Sequence, residues 1–255
     1  MGLQYGIKEV LNVGMYDFAT NKPILFADYA TVSTNEVNGE RLFLSGGQGN
    51  YRLMSFDHSK TTTLKMTLPM VDLKMLALLA GDDLVTGVAQ NVYKREVFTI
   101  ADGTVTLSET PIADSQVVYA LSGLRDNGTE YIKVTSAPTG QQYSISNKTL
   151  TFDAAENGKQ VVVWYQYATP TTAQKIGIKA NKFAKAVKIF GDGLWRDQET
   201  ETDKAVKVTV HKAKAQSNFT LTMSSDKATE LEVTFDVFAV KDANGDYAYI
   251  DYVVL

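Results

Sequence analysis

Cysteine is absent from the 255 residues, which excludes disulfides, thiolate metal sites and cysteine nucleophiles. Histidine is nearly absent. His58 and His211 lie far apart, so the chain offers no multi-histidine metal centre. Proline is scarce, at five residues, so little blocks pairing along strand edges. No apolar run reaches the roughly 18–20 residues of a membrane helix. Neither sign of charge dominates: 25 basic against 29 acidic residues give a net −4. A coat that neutralises nucleic acid usually needs a basic face, which this balance does not offer. The N-terminus, Met1 to Gly6, has no basic segment leading into an apolar stretch, so the expectation is a soluble protein made in the cytoplasm.

What is present points to strands. Threonine and valine are abundant, and 13 tyrosines and 11 phenylalanines are spread along the chain. The apolar period is mostly two. Val206, Val208 and Val210 alternate with polar residues, as do Phe219, Leu221 and Met223, and Leu231, Val233, Phe235 and Val237. Each reads as a strand with one wet face. The pairs Asn38-Gly39, Asp102-Gly103, Asn127-Gly128, Asn157-Gly158 and Asn244-Gly245 read as hairpin turns. One segment breaks the period. Pro69 to Ala80, rich in Leu, Met and Ala and closed by Gly81, predicts a helix starting at Pro69 and packing on a sheet through Val71, Met75, Leu78 and Leu79.

Residues 97–167 have closer-spaced strands and read as a small β-sandwich, followed by a linker at 168–172. Two organisations fit: two consecutive domains, or a sandwich inserted between residues 1–96 and 168–255. Insertion is favoured, because neither flank alone has strands enough to close a sandwich. The fold class is then mainly β, an antiparallel sandwich with one flanking helix plus an inserted small sandwich.

Catalytic chemistry finds little support. The glycine-rich run Gly46, Gly47, Gln48, Gly49, Asn50 lacks the Lys-Ser/Thr of a phosphate loop and precedes no helix. It reads as a loop free to order against a neighbour. Asp242, Asn244 and Asp246 offer half a calcium loop but read as a hairpin turn. Asp57, His58 and Ser59 are consecutive, whereas a triad converges from separate elements. His211 reads as a strand end facing solvent. Asp197, Glu199, Glu201 and Asp203 alternate in a polar run and read as a solvated hairpin tip, not as a carboxylate pair in a cleft. The reading is of a non-enzyme without cofactor or metal.

The order of parts is more informative than any motif. A β-rich start, Tyr5 to Val13, leads to a hairpin at Asn38-Gly39 and a long loop from Arg41 to Arg52. A polar strand at Met54–Met66, containing Ser55 to Leu64, precedes the helix, and strands then run to the closing Tyr249 to Leu255. Over the two flanks this layout resembles the major tail tube proteins of tailed bacteriophages. The resemblance implies a virion protein of the tail, made in the host cytoplasm and free of membrane. Its subunits would join sheets edge to edge in hexameric rings that stack head to tail and meet other tail proteins. DNA would pass through the lumen without specific binding. The helix would brace the outside of the ring, Gly46 to Asn50 would touch a neighbouring subunit, and Glu199, Glu201 and Asp203 would give the lumen a negative annulus that repels phosphate. The alternatives are another virion part (decoration, baseplate or head completion) and a non-catalytic sugar-binding or adhesive β-sandwich.

Overall fold

The computed structural model describes residues 4–123, 125–221, 224–226, 230–242 and 244–255. Eighteen strands, one α-helix and one 3-10 turn make up the described fold. The first strands are β1 (Tyr5–Ile7), β2 (Asn12–Asp17), β3 (Pro23–Ala27), β4 (Val32–Gly46) and β5 (Tyr51–Leu68), followed by helix α1 (Leu73–Ala80). Next come β6 (Asn91–Thr99), β7 (Thr104–Thr106), β8 (Val117–Ser122), β9 (Asp126–Lys133), β10 (Gln142–Ser146), β11 (Thr149–Phe152) and β12 (Gln160–Ala168). The last are β13 (Ala186–Asp197), β14 (Asp203–Ala215), β15 (Leu231–Val237), β16 (Val240–Lys241), β17 (Tyr247–Ala248) and β18 (Ile250–Val254). The mainly β, antiparallel fold with one helix is as the composition implies.

Two compact units share the chain. The first joins Met1–Leu84 to Ile176–Leu255 and the second is Val85–Lys175. The division thus falls earlier than residue 97 and later than residue 167. Residue 97 lies inside β6, whose nine-residue ladder with β12 starts at Asn91 opposite Ala168.

In the first unit a nine-stranded sheet runs β3-β2-β13-β14-β15-β5-β4, with β1 added to β13 and β18 added to β14. Alternation decides which face is dry. Val206, Val208 and Val210 of β14 are buried, as are Leu231, Val233, Phe235 and Val237 of β15. Val210 and the four β15 residues meet Val13, Met15, Met66 and Ile189 in one core. Each such side chain contributes roughly 1.5–3 kcal/mol through the surface it withdraws from water.

Helix α1 covers this core with Met75, Leu78 and Leu79. It starts at Leu73, not at Pro69. Asp72 is extended (φ −84°, ψ 128°) and its carboxylate accepts from Lys74 N at 2.7 Å, so Asp72 is the N-cap and the residues before it lie outside the helix. Gly81, at φ 68°, closes the other end as expected.

The second unit runs β6-β12-β8-β9-β10-β11-β7. All its pairings are antiparallel except β9 with β10, where Gln142 lies beside Ile132. Its own core holds Val118, Leu150, Val161, Val163 and Tyr165. The buried Glu156 carboxylate is satisfied by Tyr131 Oη (2.6 Å) and Lys159 Nζ (2.8 Å). Lys159 first, then Tyr131, hold its carboxyl below the usual range.

Several turn expectations need correction. Asp102-Gly103 does form a two-residue hairpin, closed by reciprocal bonds between Ala101 and Thr104. Asn38-Gly39 does not turn the chain. It lies inside β4 at a bulge between Asn38 and Glu40. Asn127-Gly128 lies inside β9, where a Cβ on Gly128 would come within 2.9 Å of the Ala120 carbonyl oxygen. Phe219 to Leu221 form no strand, although Phe219 packs against the first core; Met223 lies outside the described residues.

Candidate functional site, an assembly surface

The expected loop from Arg41 to Arg52 is mostly strand. β4 and β5 pair almost continuously from Val32–Thr67 to Gly46–Tyr51, and only Gly47 to Asn50 form the turn. Gly47 (φ 82°), Gly49 (φ 93°) and Asn50 (φ 52°) supply the left-handed backbone it requires, and Asn50 N donates to Gly47 O at 3.1 Å. The last four residues of the glycine-rich candidate run are therefore the tip of a long ribbon, and Gly46 is the last residue of β4.

From Thr34 to Thr61, every residue but Gly46 is exposed. The pairing register sorts the two faces. Leu42 lies opposite Phe56 and Leu44 opposite Met54. Alternate residues share a face, so these four make an apolar stripe, each more than half exposed. The other face pairs Arg41 with Asp57 through Nε at 2.5 Å, and Arg41 lowers the Asp57 carboxyl. The Arg52 guanidinium lies 3.9 Å over the Phe43 ring. Nothing among the described residues covers either face of the ribbon there. A two-stranded ribbon is marginal in water by itself, and an exposed apolar patch of this kind marks an interaction surface.

The structure separates the acidic candidates. β13 and β14 form a hairpin whose tip holds Glu199 and Glu201, both exposed. Asp197 is buried at the tip's base and accepts from Glu199 N (2.8 Å) and Thr200 N (3.2 Å). Asp203 stands apart. Arg196 Nε and Lys8 Nζ both donate to it at 2.7 Å, and Arg196 first, then Lys8, hold its carboxyl far below the usual range. Asp203 is therefore a neutralised anchor, while Glu199 and Glu201 have no ion-pair partner among the described residues.

The remaining polar candidates are spent on local bonds. Asp57 is paired with Arg41, and His58 Nδ1 sits 2.8 Å from Ser59 Oγ, so no relay forms. Asp242 Oδ1 accepts from Asn244 N and Asp246 N, both at 2.9 Å, and caps a turn. His211 lies inside β14, not at its end, half-buried and 2.8 Å from Asp251 Oδ2.

The sequence reading missed an aromatic ladder. Tyr5, Trp195 and Tyr252, from β1, β13 and β18, stand 6.1 and 5.9 Å apart, the second pair stacked at 29°. These strands meet because β1 pairs Tyr5 with Asp197 while β18 pairs Tyr252 with Val208. β18 is paired on one side only among the described residues, which leaves a sheet edge free for another strand.

A family model described as the YomU/Tube protein family matches residues 5–250. No curated protein matches the chain. The match spans both units, and the chain belongs to this family of phage-derived, tube-like structural proteins.

Proposed function

We propose that this YomU/Tube chain is the repeating subunit of a phage tail tube, the conduit for DNA during ejection. Copies join sheet edges such as β18 into hexameric rings, and the rings stack by a heterologous contact that continues indefinitely. Other tail proteins bound the stack at its ends. The second unit is an accessory β-domain carried by the subunit. The observation that carries this reading is the β4–β5 ribbon, a long arm with an uncovered apolar stripe in a tube-family chain. Negative-stain microscopy of the concentrated protein is expected to give hollow rings or tubes. Only isolated molecules at every concentration would refute it.

The acidic hairpin tip faces the lumen in this reading, with Glu199 and Glu201 as its charges and Asp203 holding the hairpin in shape. Changing Glu199 and Glu201 together to lysine is expected to slow DNA passage several-fold, most at low salt, because the lumen then attracts phosphate. Ejection kinetics of the variant particle check this. Wild-type kinetics at low salt would move the tip away from the lumen.

A further inference from the structure

We propose that the tip of the β4–β5 ribbon docks into an apolar groove at the ribbon root of a second copy. The inference rests on the tube reading and names the receptor for its arm. The groove lies in the first unit, with a volume of about 250 Å³, room for a large apolar side chain. Val10, Leu11, Val13, Ile189, Val208 and Ile250 supply its apolar lining, and Trp195 and Tyr252 of the aromatic ladder also border it. Ile7, 77% exposed, and Glu9 border it as well.

Three observations select the ribbon tip of another copy as occupant. The first is chemistry. The residues flanking the turn include Leu44, Tyr51, Leu53 and Met54, all more than half exposed, so the described residues present both an exposed apolar knob and an open apolar hole. The second is charge. Arg52 at the tip and Glu9 at the groove have no ion-pair partner among the described residues, whereas the neighbouring Arg41 and Lys8 do. End-on entry of the tip brings the unpaired cation to the unpaired carboxylate. The third is reach. Asn35 borders the groove and its Nδ2 donates to Tyr252 Oη at 2.8 Å, which fixes the ribbon root there. The turn begins beyond Gly46, 46 − 35 residues further on, or ~36 Å at about 3.3 Å per residue. A paired ribbon cannot bend back onto its own root without breaking its ladder, so the contact is intermolecular. Tip to root is also a directional contact, and each docking leaves one free tip and one free groove, so it propagates.

The absence of native cysteine makes the test clean. Full-length protein carrying Val10→Cys and Leu53→Cys together is oxidised after assembly and run on a non-reducing gel. The expected result is a ladder of covalent multimers, lost on reduction. Each single variant gives dimers at most. A control pairing Leu53→Cys with Ile178→Cys, exposed elsewhere in the first unit, gives no ladder. Assemblies visible by microscopy without a Val10–Leu53 ladder, or with an equal ladder in the control, overturn the groove and leave the tube reading standing. No assembly in unmodified protein overturns both.

Discussion

Replacing residues 39–60 by an Asn-Gly turn is expected to abolish assembly while leaving the first unit's melting temperature within about 2 °C of the parent. The design follows the ladder. Asn38 pairs with Thr61, and a two-residue turn of this composition closes such a pair. The turn's second residue keeps a carbonyl at the position of Lys60, to which Tyr249 Oη donates at 2.7 Å. No core residue is lost, because the first unit's core has no member between Ala30 and Leu64. What disappears is the apolar stripe of Leu42, Leu44, Met54 and Phe56. Burying four such side chains against a neighbour contributes roughly 6–12 kcal/mol before ordering costs. Losing even a third of that raises the concentration needed for assembly by more than about tenfold, at ~1.4 kcal/mol per tenfold. Sedimentation and thermal melting read the two halves of this expectation separately. Rings at the parent's concentration would show that the ribbon is not the assembling arm, and a collapsed melt would show that it belongs to the core.

The ribbon also shows where the sequence was legible. Strands with a dry face declared themselves, since Val206 to Val210 and Leu231 to Val237 alternate because one side is buried. β4 has no dry face beyond Thr34, so nothing forces alternation there. Its bulges at Asn38/Glu40 and Leu44/Ser45 break what period remains, and the glycines drew the whole stretch into one loop. The converse error occurred at Phe219 and Leu221, whose spacing reports partial burial without a ladder to pair with. At α1 the proline rule competed with the carboxylate of Asp72, and the side chain that satisfies a free N–H set the boundary. Among the site residues, Gly47 to Asn50 were found because a tight turn has a local signature. The Tyr5–Trp195–Tyr252 ladder had none, its members being assembled by strand pairing across the length of the chain. The acids spaced at alternate positions from 197 to 203 looked equivalent on paper, but a turn at 198–202 gives each a different environment.

Gly81→Ala is expected to cost the first unit about 2–5 kcal/mol, summing a left-handed backbone penalty and an overpacking penalty. Gly81 ends α1 in the left-handed region. Its N–H donates to Leu78 O and that of Asp82 to Ala77 O, each at 3.2 Å, so the last carbonyls of the helix depend on this conformation. A side chain there has no room. A Cβ would lie 2.2 Å from both the carbonyl carbon and oxygen of Phe183, which are backbone atoms and cannot rotate away. Either the helix loses its terminus or the segment around Phe183 shifts and pulls on the neighbouring buried Ala184. At ~2–4 °C per kcal/mol the melting temperature falls by roughly 4–20 °C. The two tryptophans let this be read unit by unit, because Trp195 lies in the first and Trp164 in the second. In a Trp164→Phe background the fluorescence transition reports the first unit alone. In a Trp195→Phe background the remaining signal follows the second unit, whose core does not include α1. A drop of under about 3 °C in the first experiment would mean that the chain around Phe183 yields, and that the close approach at Gly81 is not what holds helix and sheet together.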